Sequence, residues 1–170
     1  MKEIVQYGNP VLREVASYIH PQDILSEEIQ QHIVDMKQSL STQKDGVALA
    51  APQIGVSLQI FVVAPFVFED DSNQKLVYIN PEIIKNSDEK KWLDEGCLSC
   101  RWKVGQVERS LTTTIRAYDE YGKPFEIEAD GLLAHIFQHE TDHLKGTLFI
   151  DKARKLRDMT EAEIQEATQG

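Results

Sequence analysis

The sequence predicts an α+β domain. Three observations carry that expectation. Helix-like and strand-like segments both occur, the strands are bracketed by helices without regular alternation, and no repeat, low-complexity tract or Gly/Ser/Pro-rich linker divides the 170 residues. At 41% hydrophobic residues the chain is long enough to bury one core of its own.

The elements follow in order. Asn9-Pro10 reads as a cap and a first-turn proline, which starts a short helix. Ser26 caps a longer one, with Glu27 and Glu28 in its first turn and Ile29, Ile33, Met36 and Leu40 along one face. Leu58 to Val63 and Leu76 to Ile79 read as buried strands. Leu111 to Tyr118 and Phe125 to Ala129 read as strands joined by the turn Asp119-Glu120-Tyr121-Gly122. Asp130 is then the expected cap of a helix carrying Leu132, Ile136, His139 and His143 in one stripe, with Gly146 as its terminator. Thr160 and Glu163 fit a capping box for a short terminal helix.

The stripe itself points to chemistry. His139-Glu140-Thr141-Asp142-His143 places two imidazoles four residues apart on one helix face, close enough to grip one metal ion. An apolar stripe would continue with Leu or Ile, and two histidines there cost burial unless something binds them. Glu140, beside the first histidine, can reach a water activated by such an ion and move its proton, as metal-assisted hydrolases require. His135 lies one turn earlier, but its ring would sit about 12 Å along the axis from that of His143, so it reads as pocket wall or surface.

Two histidines need a third ligand. Glu95-Gly96-Cys97-Leu98-Ser99 offers a thiolate beside a glycine that allows close backbone approach. Gly46 to Gly55 is the other unusual segment. Its small residues around Gln53 suit a tight site where an amide approaches a reacting group, and equally a close-packed turn entering a strand.

Gly46 to Gln53, Glu95 to Ser99 and Gln138 to His143 together resemble the peptide deformylase family, whose Gly-x-Gly-Leu-Ala-Ala-x-Gln, Glu-Gly-Cys-Leu-Ser and Gln-His-Glu-x-Asp-His motifs occur in this order. The likeness runs from Gly8-Asn9-Pro10-Val11-Leu12 to about Asp151. It implies a catalytic domain over 1–151, a tail over 152–170 with a short helix, and small mixed or antiparallel sheets packed around a central metal-binding helix. The activity it implies is removal of the N-formyl group from the initiator methionine of nascent polypeptides, releasing formate, with Fe(II) as the usual ion. The residues suit that chemistry. Cys97, His139 and His143 would hold the metal and leave a fourth position for water, and Glu140 would act as general base and then acid. By resemblance, the Gln53 side chain and the Leu98 backbone N–H would hold the developing oxyanion. Glu95 and Asp142 read as supports of the ligating histidines, and Arg109 matches a family arginine, a structural ion-pair partner. A thiolate with two imidazoles also suits Zn(II), Ni(II) or Co(II).

Three features depart from the family. Ala48 stands at the second glycine, where a methyl would narrow the groove or disfavour a positive φ. Cys100-Arg101 replaces a common x-Pro, and Cys100 creates Cys97-x-x-Cys100. Two rivals use the same residues. A structural zinc module would close the ion with Cys97, Cys100, His139 and His143, leaving Glu140 without a role. A zinc peptidase would draw its third ligand from Glu161, Glu163 or Glu166, since Phe149 stands where one large group has a third histidine.

The remaining expectations are coarse. The charge of -10, from 18 Lys+Arg against 28 Asp+Glu, argues against general binding of DNA or anionic membranes. Met1 to Tyr7 has no apolar signal core, and two closely spaced cysteines suit a reducing cytoplasm. A monomer is the default. Lys152, Arg154, Lys155 and Arg157 form one dense basic cluster; it reads first as a solvated run pairing with Asp158, Glu161 and Glu163, and second as a contact to ribosomal phosphates.

Overall fold

The computed structural model describes residues 1–69 and 74–169. Gly170, the last residue of the expected tail, lies outside them. Helix α1 spans Glu27–Ser41, and the Ser26 hydroxyl accepts from the Ile29 N–H as the sequence anticipates. Strands β1 (Ala48–Ala50), β2 (Ile60–Val63) and β3 (Val77–Asn86) follow, then β4 (Lys90–Glu95), β5 (Lys103–Ser110), β6 (Thr112–Tyr118) and β7 (Pro124–Asp130). Helix α2 is Gly131–Leu144, β8 is Arg154–Asp158 and α3 is Glu161–Gln169. Among the described residues no helix is long and apolar enough to cross a membrane.

All strand pairs are antiparallel. They form a five-stranded sheet in the order β1-β2-β3-β6-β7 and a three-stranded sheet in the order β4-β5-β8. The larger sheet is covered on both faces, which is why β2 is apolar at every position rather than alternating. Leu49, Ile60, Val62, Val77 and Ile79 pack with the Ile29, Ile33, Met36 and Leu40 stripe of α1. The intervening residues Ala48, Ala50, Phe61, Val63 and Tyr78 point the other way and pack with Ile136, Phe137 and Leu144 of α2. Phe61 stacks on Tyr78 at 4.5 Å between ring centroids, with Phe137 against both. The metal-motif helix is thus seated on a continuous aromatic and aliphatic layer.

Helix α2 ends where Gly146 takes φ +74, and a Cβ there would lie 2.5 Å from the Arg13 carbonyl oxygen. Asp130 occupies the N-cap position, but its side chain accepts no capping hydrogen bond. Leu132 is 51% exposed, so the expected stripe begins at a cavity mouth and enters the core only at Ile136.

Small antiparallel sheets are what the family likeness implies, but the strands β4, β5 and β8 of this one are not marked by the sequence. β4 is largely exposed and β8 wholly so, and neither alternates. Inward positions of β5 are filled by Gly105, Val107 and Arg109, a pattern that hides a strand. Thr160 and Glu163 do form the expected reciprocal capping box before α3.

Candidate metal centre

Three elements meet at one point. α2 supplies His139, Glu140 and His143; the turn between β4 and β5 supplies Cys97; and the single 3-10 turn after β1, Ala51–Ile54, supplies Gln53. Cys97 Sγ and one nitrogen from each of His139 and His143 lie within 4.8 Å of one another. His143 Nε2 is 3.3 Å from Cys97 Sγ. Among the described residues, Cys100 and the glutamates Glu161, Glu163 and Glu166 do not join this cluster. Glu163 instead pairs with Arg157 at 2.7 Å. Both four-protein-ligand zinc and a downstream glutamate ligand therefore lack geometric support.

The tautomers follow from Glu95. Its side chain is 3% exposed. Burial alone would raise its pKa, but hydrogen bonds from His135, His139 and Arg109 hold it far below the usual carboxylate range. An ionised carboxylate only accepts, so His139 Nδ1 must carry the proton it shares with Glu95 Oε1, and Nε2 is the nitrogen that a cation would take. Arg109 binds both Glu95 oxygens, at 2.7 and 3.1 Å, and reaches Asp142 at 2.7 Å. Lys152 closes the far side of Asp142 at 3.0 Å. Glu95, Arg109 and the half-buried Asp142 thus form one ion-pair unit behind the ligands; Glu95 contacts a ligating histidine directly, whereas Asp142 pairs with Arg109 and Lys152 and hydrogen-bonds to neither histidine among the described residues.

The donors suit a cation. Burial holds the His143 pKa well below its ordinary value, so that imidazole is neutral. Contact with Cys100 and burial both push the Cys97 thiol up, so a thiolate there needs a positive partner. Glu140 is 3% exposed, and burial pushes its carboxyl up to about 7. Its Oε1 stands 4.0 Å from His139 Nε2, and its Oε2 has no hydrogen-bond partner among the described residues.

Gln53 is fixed by both ends of its amide. Oε1 accepts the Ala50 N–H at 2.9 Å, while Nε2 points to Ser99 Oγ at 3.2 Å and Cys97 Sγ at 3.5 Å. The Leu98 N–H donates to no acceptor among the described residues, and its carbonyl is held by Gln6 Nε2 at 3.0 Å. Gln6 also accepts the Arg101 N–H, so it braces the cysteine turn at two points, a role nothing local in the sequence signals. A cavity of about 340 Å³ opens onto these groups, with Gly46, Val47 and Ala48 along one side and Leu132, His135 and Ile136 along another.

The departures are resolved in part. Ala48 lies in strand conformation, not at positive φ, so its methyl strains no backbone; it packs on the α2 side of the sheet and borders the cavity. Arg101 grips Asp45 through both guanidinium nitrogens, 2.9 Å for the longer pair, and lies over the Trp102 ring at 4.2 Å. Cys100 is fully buried among Leu12, Val107, Leu148 and Phe149. In the basic cluster, Lys152 is taken by Asp142, Arg157 by Glu163, and Arg154 lies over Trp92 at 3.7 Å, as a self-compensated run would be.

Known proteins resemble the chain over most of its length. The family model described as Polypeptide deformylase matches residues 1–159. A peptide deformylase of Desulforudis audaxviator is 41% identical over 151 residues, 89% of this chain and 92% of its own. The crystal structure of a peptide deformylase from Legionella pneumophila superposes with TM-score 0.80 at 35% identity, covering 99% of this chain and 92% of that one. A Met-Ala-Ser-bound class I type b peptide deformylase from Acinetobacter baumannii gives TM-score 0.80 at 30% identity, covering 89% and 98%.

Proposed function

The chain belongs to the polypeptide deformylase family, and on that premise we propose which of its residues carry out the reaction. It is a metal-dependent hydrolase that removes the N-formyl group from the initiator methionine of nascent polypeptides, releasing formate. The observation that carries the assignment of roles is the convergence of Cys97, His139 and His143 beside a buried carboxylate with a free oxygen.

Cys97 Sγ and the Nε2 atoms of His139 and His143 are the proposed ligands. A divalent ion held there would supply Lewis acidity toward water and toward the formyl oxygen. Glu140 takes the proton as water attacks the formyl carbon, and returns it to the departing amine; a carboxyl raised by burial to about 7 is suited to both steps near neutral pH. Gln53 Nε2 and the Leu98 N–H donate to the oxygen as charge gathers on it, and Gln53 is held in place by Ala50 and Ser99. Glu95 keeps His139 in the Nδ1–H form. Among the described residues the first strand of the large sheet pairs on one side only, with β2, and Gly46 to Ala48 border the cavity, so an extended peptide backbone can align along that edge. The Met-Ala-Ser peptide held by the Acinetobacter relative is of the corresponding product class.

Fe(II) is the proposed ion, and a reducing cytoplasm the proposed compartment; Zn(II), Ni(II) and Co(II) fit the same donors. All proposed ligands come from one chain, in keeping with a monomer. Contact with the ribosome through the 152–157 run remains the second reading, since three of its four cations are already engaged. The test of the iron assignment is anaerobic purification with metal analysis, followed by formate release from formyl-Met peptides after timed exposure to air. The iron form should lose activity faster than nickel- or cobalt-loaded protein, because oxidation of either iron or Cys97 breaks the site. Equal decay of all three forms would contradict it.

A further inference from the structure

We propose that His135 is a positioning residue for His139, acting through Glu95; the inference rests on the metal-site reading above. His135 and His139 are four residues apart on α2, so their rings lie on one face, one turn apart. Glu95, at the end of β4, sits across both. Its Oε1 takes His139 Nδ1 and Arg109 Nη2, and its Oε2 takes His135 Nε2 at 2.7 Å and Arg109 Nε at 3.1 Å.

The carboxylate only accepts, so His135 Nε2 carries the proton of that bond. Each oxygen of Glu95 is therefore held by one imidazole and one arm of the Arg109 fork. Without the His135 donor, Oε2 keeps Arg109 alone, and the carboxylate can slide along the fork away from the line that orients His139.

His135 also faces the cavity, between Leu132 and Ile136, with 17% of its side chain exposed against 3% for Glu95. A cavity wall needs only bulk, which its two apolar neighbours supply. An N–H directed at a buried carboxylate beside them does something further: it fills the acceptor and keeps water from competing for it. The side chain thus links the cavity surface to a proposed metal ligand without touching the metal.

The test compares the parent with His135→Leu, which keeps bulk but has no donor, and His135→Gln, whose amide can donate at a similar reach. Each is loaded with Co(II). Cobalt loss to EDTA, the visible cobalt absorption and the separate kcat and KM for a formyl-Met peptide are measured. Direct partners of metal-ligating histidines are worth about ten- to a hundredfold in metal affinity or activity, so one bond further out we expect His135→Leu to lose cobalt about three- to tenfold faster. Its cobalt band should shift, kcat should fall more than KM changes, and His135→Gln should recover most of each effect. Parent-like cobalt retention and absorption in His135→Leu, with any change confined to KM, would overturn the proposal and leave the metal site standing. Failure of His135→Gln to recover what His135→Leu loses would also overturn it, because bulk and ring shape would then be the cause. Cobalt binding by the parent that is unchanged in Cys97→Ala would overturn the metal-site reading itself, and this inference with it.

Discussion

Glu140→Gln is expected to keep the fold and the metal and to lose about a hundredfold or more of formate release, the scale of a missing general base. The amide has nearly the same shape as the carboxylate, and the side chain is 3% exposed at the inner wall of the cavity, so packing gives no reason for unfolding. What the amide lacks is the ability to take a proton. The carboxylate lies beside the ligand set with Oε1 4.0 Å from His139 Nε2 and Oε2 unpartnered among the described residues, the position a proton carrier needs. Steady-state formate release and metal content are measured on the same sample. A metal-replete variant working near the parent rate would assign the proton to another group.

The largest stability effect is expected at Arg109. This guanidinium, on β5, is 4% exposed and joins Glu95 of β4 to Asp142 of α2. Arg109→Leu would leave a buried carboxylate without its fork, and removal of one partner from a buried ion pair costs about 3–5 kcal/mol. For a chain of this size that corresponds to a fall of roughly 6–20 °C in Tm. Arg109→Lys should recover only part of the loss, because an ammonium cannot bind both Glu95 oxygens in one plane. Thermal melts of the metal-loaded proteins decide it: a Leu variant melting within a degree or two of the parent would mean the network contributes little to stability.

The contrast between what could and could not be read from the sequence has physical causes. Helix α1, the β6–β7 hairpin and α2 were legible because each carries its own period, cap or turn within a few residues. β4 and β8 were not, since both are exposed edge strands of a three-stranded sheet and need no apolar alternation. In β5, Gly105 is inward because a Cβ would come within 2.9 Å of Ala153 Cβ, and Arg109 is inward because two acids await it. At the site, the histidine pair and its glutamate are local to one helix and could be seen at once. Support of His139 by Glu95 was expected, but the bracing by Gln6 and the reach of Glu95 to His135 cross 40 residues or more and leave no trace in spacing. Ala48 shows the reverse: the backbone conformation feared from the glycine position is absent.

On the proposed reading Cys97, with His139 and His143, holds the metal while its neighbour Cys100 does not. The direct measurement is metal per chain, after anaerobic purification, for the parent, Cys97→Ala and Cys100→Ser. The parent and Cys100→Ser should carry about one ion per chain and release formate, since a fourth protein ligand would occupy the place water needs. Cys97→Ala should lose both. Full metal in Cys97→Ala, or loss of metal from Cys100→Ser, would contradict it.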